Sequence, residues 1–227
     1  MLITARKWNN YFREGKDFSL INDLFLEDLL KFFKGVGLKE IKYVLDLGCG
    51  TGNFAIKLAK RGFRVKAIDY SVEALKIAKE KAKNNNVESL INFELVDIEK
   101  IKFLKEKYDL VILRLVYAFI KNKKNLLSKI KKVLSEKGWL FLETPVIFKH
   151  HKYGQNYQNI AVDFKSSTNL FKKNFRNVIL FNKQYSQENG LLLSFLLSDY
   201  KIYKLKDPLI KTIIRFSDYY INELLKR

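Results

Sequence analysis

Val44-Leu45-Asp46-Leu47-Gly48-Cys49-Gly50-Thr51-Gly52-Asn53-Phe54-Ala55 decides the fold of this 227-residue chain. Tyr43 to Leu47 reads as a short apolar strand, the alternating glycines as a tight loop, and Asn53 to Arg61 as a helix stopped by Gly62. Glycine lets the backbone approach a ligand closely and adopt positive φ. The helix that follows points its unpaired N–H groups and positive dipole end into the same space, where a nucleoside-bearing ligand can sit.

Outward from that stretch, strands and helices alternate without a long linker. Strand Arg64 to Ile68, helix Val72 to Lys83 behind a Ser71 cap, strand Ile91 to Val96, strand Tyr108 to Leu113, helix Asn122 to Leu134 and strand Trp139 to Glu143 follow in turn. Such alternation predicts right-handed crossovers and an α/β fold, doubly wound, with a mainly parallel sheet covered on both faces. Upstream, Leu20, Leu24, Leu29, Leu30 and Phe33 predict an amphipathic helix over Ser19 to Lys34, with Trp8, Tyr11 and Phe12 packing beneath it. Beyond Pro145 the pattern changes. Residues 150–163 show no clear period, and Ser166 to Lys173 reads as a helix. Val178 to Phe181 and Leu191 to Leu197 read as an antiparallel strand pair, because no crossover helix separates them. Asp207-Pro208 then caps a terminal helix. Without a repeat or a low-complexity linker, one domain is expected.

The loop alone is ambiguous, since Gly50-Thr51-Gly52-Asn53-Phe54-Ala55 also fits the G-x-G-x-x-A form of a nicotinamide or flavin site. Three acids discriminate. Asp46 aims a carboxylate at the loop, which repels a pyrophosphate and suits an amino group. Asp69, 23 residues after Asp46, stands near the separation at which an acid reaches ribose hydroxyls. Asp97 follows the third strand, where it can accept from an adenine amino group. The fourth strand, beginning Tyr108-Asp109-Leu110-Val111, ends at Arg114, close to the same cleft.

With these residues in place, Val44 to Pro145 resembles the class I S-adenosylmethionine-dependent methyltransferases. Asp46-Leu47-Gly48-Cys49-Gly50-Thr51-Gly52 is similar to that family's first motif, and Asp69, Asp97, Tyr108-Asp109-Leu110-Val111 and Val133-Leu134-Ser135-Glu136-Lys137-Gly138 to its later landmarks. Lys137-Gly138 stands where the family usually has two glycines, in a turn read as structural. The resemblance implies a seven-stranded sheet of order 3-2-1-4-5-7-6, its last strand pair antiparallel, with S-adenosyl-L-methionine across the carboxyl ends of the strands. It implies Gly48, Gly50 and Gly52 against the methionine part, Asp46 near its amino group, Asp69 at the ribose hydroxyls, and Asp97 with Ile98 at the adenine, with Tyr70 and Arg114 also among the cofactor-binding residues. Residues 1–40 become a helical lid, 41–145 the cofactor-binding core, and 146–227 the acceptor-side segment of a single domain.

Methyl transfer from a sulfonium needs chiefly alignment. A general base would help a hydroxyl or amine acceptor, and His150 and His151, the only two histidines, follow the fifth strand and are the candidates, with Tyr117, Tyr153 and Tyr157 behind them. The Asp/Asn-Pro-Pro-aromatic run that accompanies adenine methylation is replaced by Arg114-Leu115-Val116-Tyr117, and Cys49 sits in the wrong loop for pyrimidine carbon-5 chemistry and reads as a small filler. Cys49 also has no partner at metal-ligand spacing, so no metal site is expected, and a lone cysteine suits a reducing cytoplasm. No stretch approaches a membrane span.

The formal charge of +19 has two readings. Lysine outnumbers arginine 35 to 8, as an AT-rich genome would produce. Against that, residues 1–110 carry +5 and residues 111–227 carry +14, so the excess falls on the acceptor half. Lys149, Lys152, Lys165, Lys172, Lys173 and Arg176 are expected to line the mouth of the cleft and to favour a small anionic acceptor. An RNA acceptor using the same basic half, and a cofactor-binding protein without catalysis, are the alternatives, alongside a nicotinamide-dependent oxidoreductase. The sequence leaves the oligomeric state open.

Overall fold

The computed structural model describes residues 5–17, 23–38, 40–101, 106–148, 153, 158–185, 191–202 and 207–226. Helices α1 (Ala5–Arg13) and α2 (Asp23–Gly35) precede the alternating core of β1 (Tyr43–Leu47), α3 (Asn53–Ala59), β2 (Arg64–Asp69), α4 (Val72–Asn84), β3 (Ile91–Leu95), β4 (Tyr108–Arg114), α5 (Lys123–Val133) and β5 (Leu134–Ile147). Then come β6 (Val162–Asp163), α6 (Phe164–Asn174), β7 (Asn177–Tyr185), β8 (Leu191–Ser198) and α7 (Pro208–Lys226).

The sheet runs β3-β2-β1-β4-β5-β8-β7. Its first four pairings are parallel, whereas β5–β8 and β8–β7 are antiparallel. That is the expected order, with one addition. The two-residue β6 pairs in parallel with the end of β5 at Val146↔Val162, making an eighth strand. Two residues of pairing leave no periodicity to read.

Side chains alternate across the pleat, so each central strand feeds both faces. Val44, Leu110, Ile112, Trp139 and Phe141 pack under α2 and α3, while Leu45, Leu47, Val111, Leu113, Leu140 and Leu142 belong to the opposite layer with residues of α5 and α6. The buried face of α2 is Leu26, Leu29, Phe32 and Phe33. Leu24, expected inside, is 76% exposed, because the face turns with Phe25, which packs on Phe141 and Phe181. Ser71 caps α4 by accepting from the Ala74 N–H, and Asp207 accepts from the N–H of Leu209 at the start of α7, as the sequence predicts. Gly138 is structural too. A Cβ there would meet the Tyr108 carbonyl oxygen at 2.8 Å. Among the described residues no helix is long and apolar enough to cross a membrane.

Of the basic cluster, the described members Lys165, Lys172, Lys173 and Arg176 do not line the cleft. Lys172 and Lys173 end α6, and Arg176 precedes β7. There Lys131 bonds the Asn174 carbonyl and pairs with Asp199. This end of the sheet holds the start of β7 and the end of β8, opposite the carboxyl end of β5, since α6 runs antiparallel to its neighbouring strands. Lys165 is exposed on the first turn of α6, and Lys149 and Lys152 lie outside the described residues.

The outer strand β7 carries a bulge at Leu180/Asn182, and the Leu180 N–H donates to the buried Ser217 hydroxyl of α7 at 2.7 Å. Ser217→Ala removes that acceptor and leaves a backbone donor without its partner. It should lower unfolding free energy by about 1–3 kcal/mol, measured by urea titration. An unchanged midpoint would show that the bond does not hold α7 to the sheet.

Candidate functional site

The carboxyl ends of β1 and β4 stand side by side through Val44↔Leu110 to Asp46↔Ile112, and the loops beyond them open a cleft of about 310 Å³. The glycine loop is tied to β2, with Gly48 and Cys49 N–H both donating to the Ile68 carbonyl. Gly48 has φ +78°, and a Cβ there would lie 2.4 Å from Val116 Cγ2. Gly52 has φ +77°, and its Cβ would fall 2.9 Å from that of Ala78 on α4. Side chains are excluded from both positions, so the loop passes close under the segment after β4 and the middle of α4.

Asp69 ends β2 and is buried. One of its oxygens accepts from the Gly50 N–H and the other from the Ser71 N–H, each at 2.9 Å. Burial raises its pKa, and the N–H groups of Ser71, Gly50 and Tyr70 counter the rise. Asp46 lacks such support. It is 3% exposed, and its Oδ2 has no hydrogen-bond partner. Burial foremost, then the charge of Asp69, pushes it up to about 7 against the opposing pull of Arg114. Tyr70 is pushed up to about 12 by burial and by Asp69 and Asp97.

Asp97 accepts from the Glu99 N–H at 3.0 Å and lines the cleft beside buried Ile98. Every cofactor-side residue expected from sequence except Gly52 lines this cleft, namely Asp46, Gly48, Gly50, Asp69, Tyr70, Asp97, Ile98 and Arg114. Gly52 acts behind it, as the N-cap of α3. Cys49 is buried with its thiol pKa raised well above the ordinary range by burial, so it fills space.

Arg114 pairs with Glu143 at 2.7 Å, and the Ser194 hydroxyl donates to the other Glu143 oxygen at 2.9 Å. The three residues are register neighbours on β4, β5 and β8. Leu115, next along, takes φ +58°, an unusual conformation for a non-glycine residue, with its N–H bonded to the Glu143 carbonyl.

Sequence reasoning missed part of the wall. Trp8, Phe12, Asp17, Glu99, Phe119, Ile120 and Lys121 all line the cleft. Trp8 and Phe12 are four apart on α1, a spacing that predicts one helix face, and this signal was legible. Phe119 lies in a 3-10 turn that no periodicity marks. The histidines His150 and His151 and Tyr157 lie outside the described residues. Tyr153 is described, and its hydroxyl meets the Phe148 N–H at 3.3 Å. Tyr117 is not on the rim, since it is fully buried against Phe171 with its hydroxyl pKa raised by burial.

Residues 38–190 match the family model described as a methyltransferase domain. The chain belongs to the class I S-adenosylmethionine-dependent methyltransferases. Within that family it is 39% identical over 102 residues to the ribosomal protein L11 methyltransferase of Dictyoglomus thermophilum, covering 44% of this chain and 32% of the relative. It is 29% identical over 147 residues to the ubiquinone biosynthesis O-methyltransferase of Glaesserella parasuis, covering 62% of this chain and 59% of the relative. This chain therefore spans less than two thirds of either relative. The plantazolicin methyltransferase BamL, solved with a triazolic desmethylPZN analog and SAH, shares the fold at TM-score 0.66 and 16% identity, over 87% of this chain and 95% of that one.

In this methyltransferase domain Asp46 makes stability depend on pH. Between its usual 3.8 and about 7 the folded protein holds a proton that the unfolded chain has released. Stability of the ligand-free protein thus falls as pH rises through that window, by up to about 1.4 kcal/mol per unit, and levels off above it. Asp46→Asn should be more stable than wild type at pH 8, with the gap closing toward pH 4. Thermal melts across this range check it, and a gap that widens on acidification would contradict the assignment.

Proposed function

We propose that this chain transfers the methyl group of S-adenosylmethionine to a small-molecule acceptor by in-line displacement. The observation that carries the reading is the buried Asp46 carboxylate, which lines the cleft and whose Oδ2 has no hydrogen-bond partner. A buried unpaired acceptor is costly, and an amino-acid ammonium satisfies it while a pyrophosphate would be repelled. When bound, the cofactor supplies an electrophilic methyl on a sulfonium sulfur.

In this reading Asp46 holds the ammonium, Gly48 and Gly50 let the backbone lie against the amino-acid part, and Asp69 meets the ribose hydroxyls with the lone pairs its two N–H bonds leave over. Asp97, Ile98 and Tyr70 surround the base. Arg114, pinned by Glu143, flanks the amino-acid end. His150 or His151 serves as general base, and His150→Ala or His151→Ala should then lower kcat about 10²-fold with SAH affinity kept.

For the acceptor, the longer of the two matches is to an enzyme named for ubiquinone biosynthesis, 147 residues against 102, which supports a small molecule over a macromolecule. Its anionic character would rest on Lys149 and Lys152, because the described cleft wall carries five carboxylates against Arg114 and Lys121. RNA is the second reading, favoured by the +14 of residues 111–227. It would show as turnover falling steeply with salt.

Calorimetric titration tests the cofactor. SAM and SAH should bind and NAD should not. Because the free Asp46 side chain holds a proton below about 7, SAH affinity should fall as pH drops from 7 to 5, approaching tenfold per unit, and this dependence should vanish in Asp46→Asn. Saturable NAD binding without a response to SAH would overturn the function, and SAH binding without turnover of any acceptor would leave a binding protein.

A further inference from the structure

Residues 5–17 reach across the mouth of the cleft, and one charged hub fastens them. Trp8 and Phe12 of α1 line the cleft, and Phe12 lies within van der Waals reach of where a Gly50 Cβ would stand, at 3.5 Å. Trp8 meets Phe119 edge-on at 5.5 Å, so α1 spans from the loop after β1 to the loop after β4. At the start of α4, the hydroxyl of its cap Ser71 donates to the Asn9 side-chain oxygen at 2.6 Å, and Arg13 pairs with Glu73 at 2.9 Å. The Arg13–Glu73 pair is exposed and holds little by itself.

Asp17 is different. Its Oδ2 accepts from the Thr51 hydroxyl, from Asn53 Nδ2 at 2.8 Å and from Lys81 Nζ at 3.1 Å. Lys81 in turn donates to Thr51 Oγ1 and Asn53 Oδ1, each at 3.0 Å. An ammonium has three N–H donors, and here each has its own acceptor: one on the N-terminal segment, one in the glycine loop and one at the start of α3. Thr51 is itself buried, so the hub ties the segment to the loop that the proposed cofactor rests on.

We infer that Asp17 is a positioning residue that, through Lys81, locks residues 5–17 over the glycine loop and sets the rate at which the nucleoside cofactor leaves. The inference rests on the cofactor reading above. A ligand lying between the loop and the Trp8–Phe12 face departs only when α1 lifts, and lifting α1 requires Asp17 to release Lys81 and Thr51. The hub adds no group to the reaction. It holds the cover in place.

Displacement of bound SAH, followed in stopped flow by the emission of Trp8, tests this, since the other tryptophan, Trp139, is buried away from the cleft. Asp17→Ala and Lys81→Met should each raise the SAH dissociation rate about 10-fold or more, the scale of a lost charge-assisted bond. Asp17→Asn, which keeps an acceptor but loses the charge, should fall between. The double variant should dissociate no faster than the faster single, because both break one unit. Ligand-free melting temperatures should change little, which separates a latch from a general loss of stability. A fast Asp17→Ala beside an unaltered Lys81→Met would mean that Asp17 touches the ligand directly, and overturns the latch. Wild-type binding with both variants unaltered overturns it as well. A wild-type protein that binds no SAH sinks the cofactor reading and the latch together.

Discussion

Two carboxylates buried around one glycine loop are the constraint on which this structure turns. Parallel pairing of β1 with β2 sets Leu47 against Ile68, so the acids Asp46 and Asp69 arrive at the same end of the sheet with the loop between them. Removing a carboxylate from water is expensive unless hydrogen bonds replace the lost solvent. Asp69 receives them from the backbone N–H groups of Gly50 and Ser71, and it thereby fixes the loop. Asp46 is left incomplete, and burial beside Asp69 raises its pKa. The fold stores the missing interaction at one oxygen, in a cleft, where a ligand can supply it. The empty site costs stability, which the proposed ligand would recover on binding.

The other wall is built by register. Arg114, Glu143 and Ser194 sit directly across from one another on three adjoining strands, so a charge pair and a hydroxyl meet without any loop having to find its place. Glu143 is buried and would be costly alone; Arg114 and Ser194 make it tolerable, and Glu143 keeps the guanidinium beside Asp46. The strained Leu115 follows at once, its N–H bonded to the Glu143 carbonyl. The cleft thus has one rigid side supplied by strands and one covered by the N-terminal helix.

Much of this was legible in the chain because it is local. The glycine spacing, the caps at Ser71 and Asp207, and the acids Asp46, Asp69 and Asp97 are signals carried by short stretches, and the structure brings those acids to one cleft. The N-terminal face was harder. Leu24 fits a helical stripe as well as Leu26 does, and only the packing of Phe25 on Phe141 and Phe181 decides which turns inward. Tyr117 reads as a rim residue after β4, yet the 3-10 turn at Tyr117–Phe119 sends it into the core and its neighbour Phe119 to the cleft. Charge misled for a similar reason. Lys172, Lys173 and Arg176 follow the fifth strand in sequence, but α6 carries them to the opposite end of the sheet before they appear.

The most direct test is a crystal structure with SAH bound. The ligand's amino nitrogen should lie within about 3 Å of Asp46 Oδ2, with the ribose at Asp69 and the base beside Asp97 and Ile98. Ligand density elsewhere, or an Asp46 carboxylate turned away and bonded to the protein instead, would contradict the claim that this one unpaired oxygen defines the site.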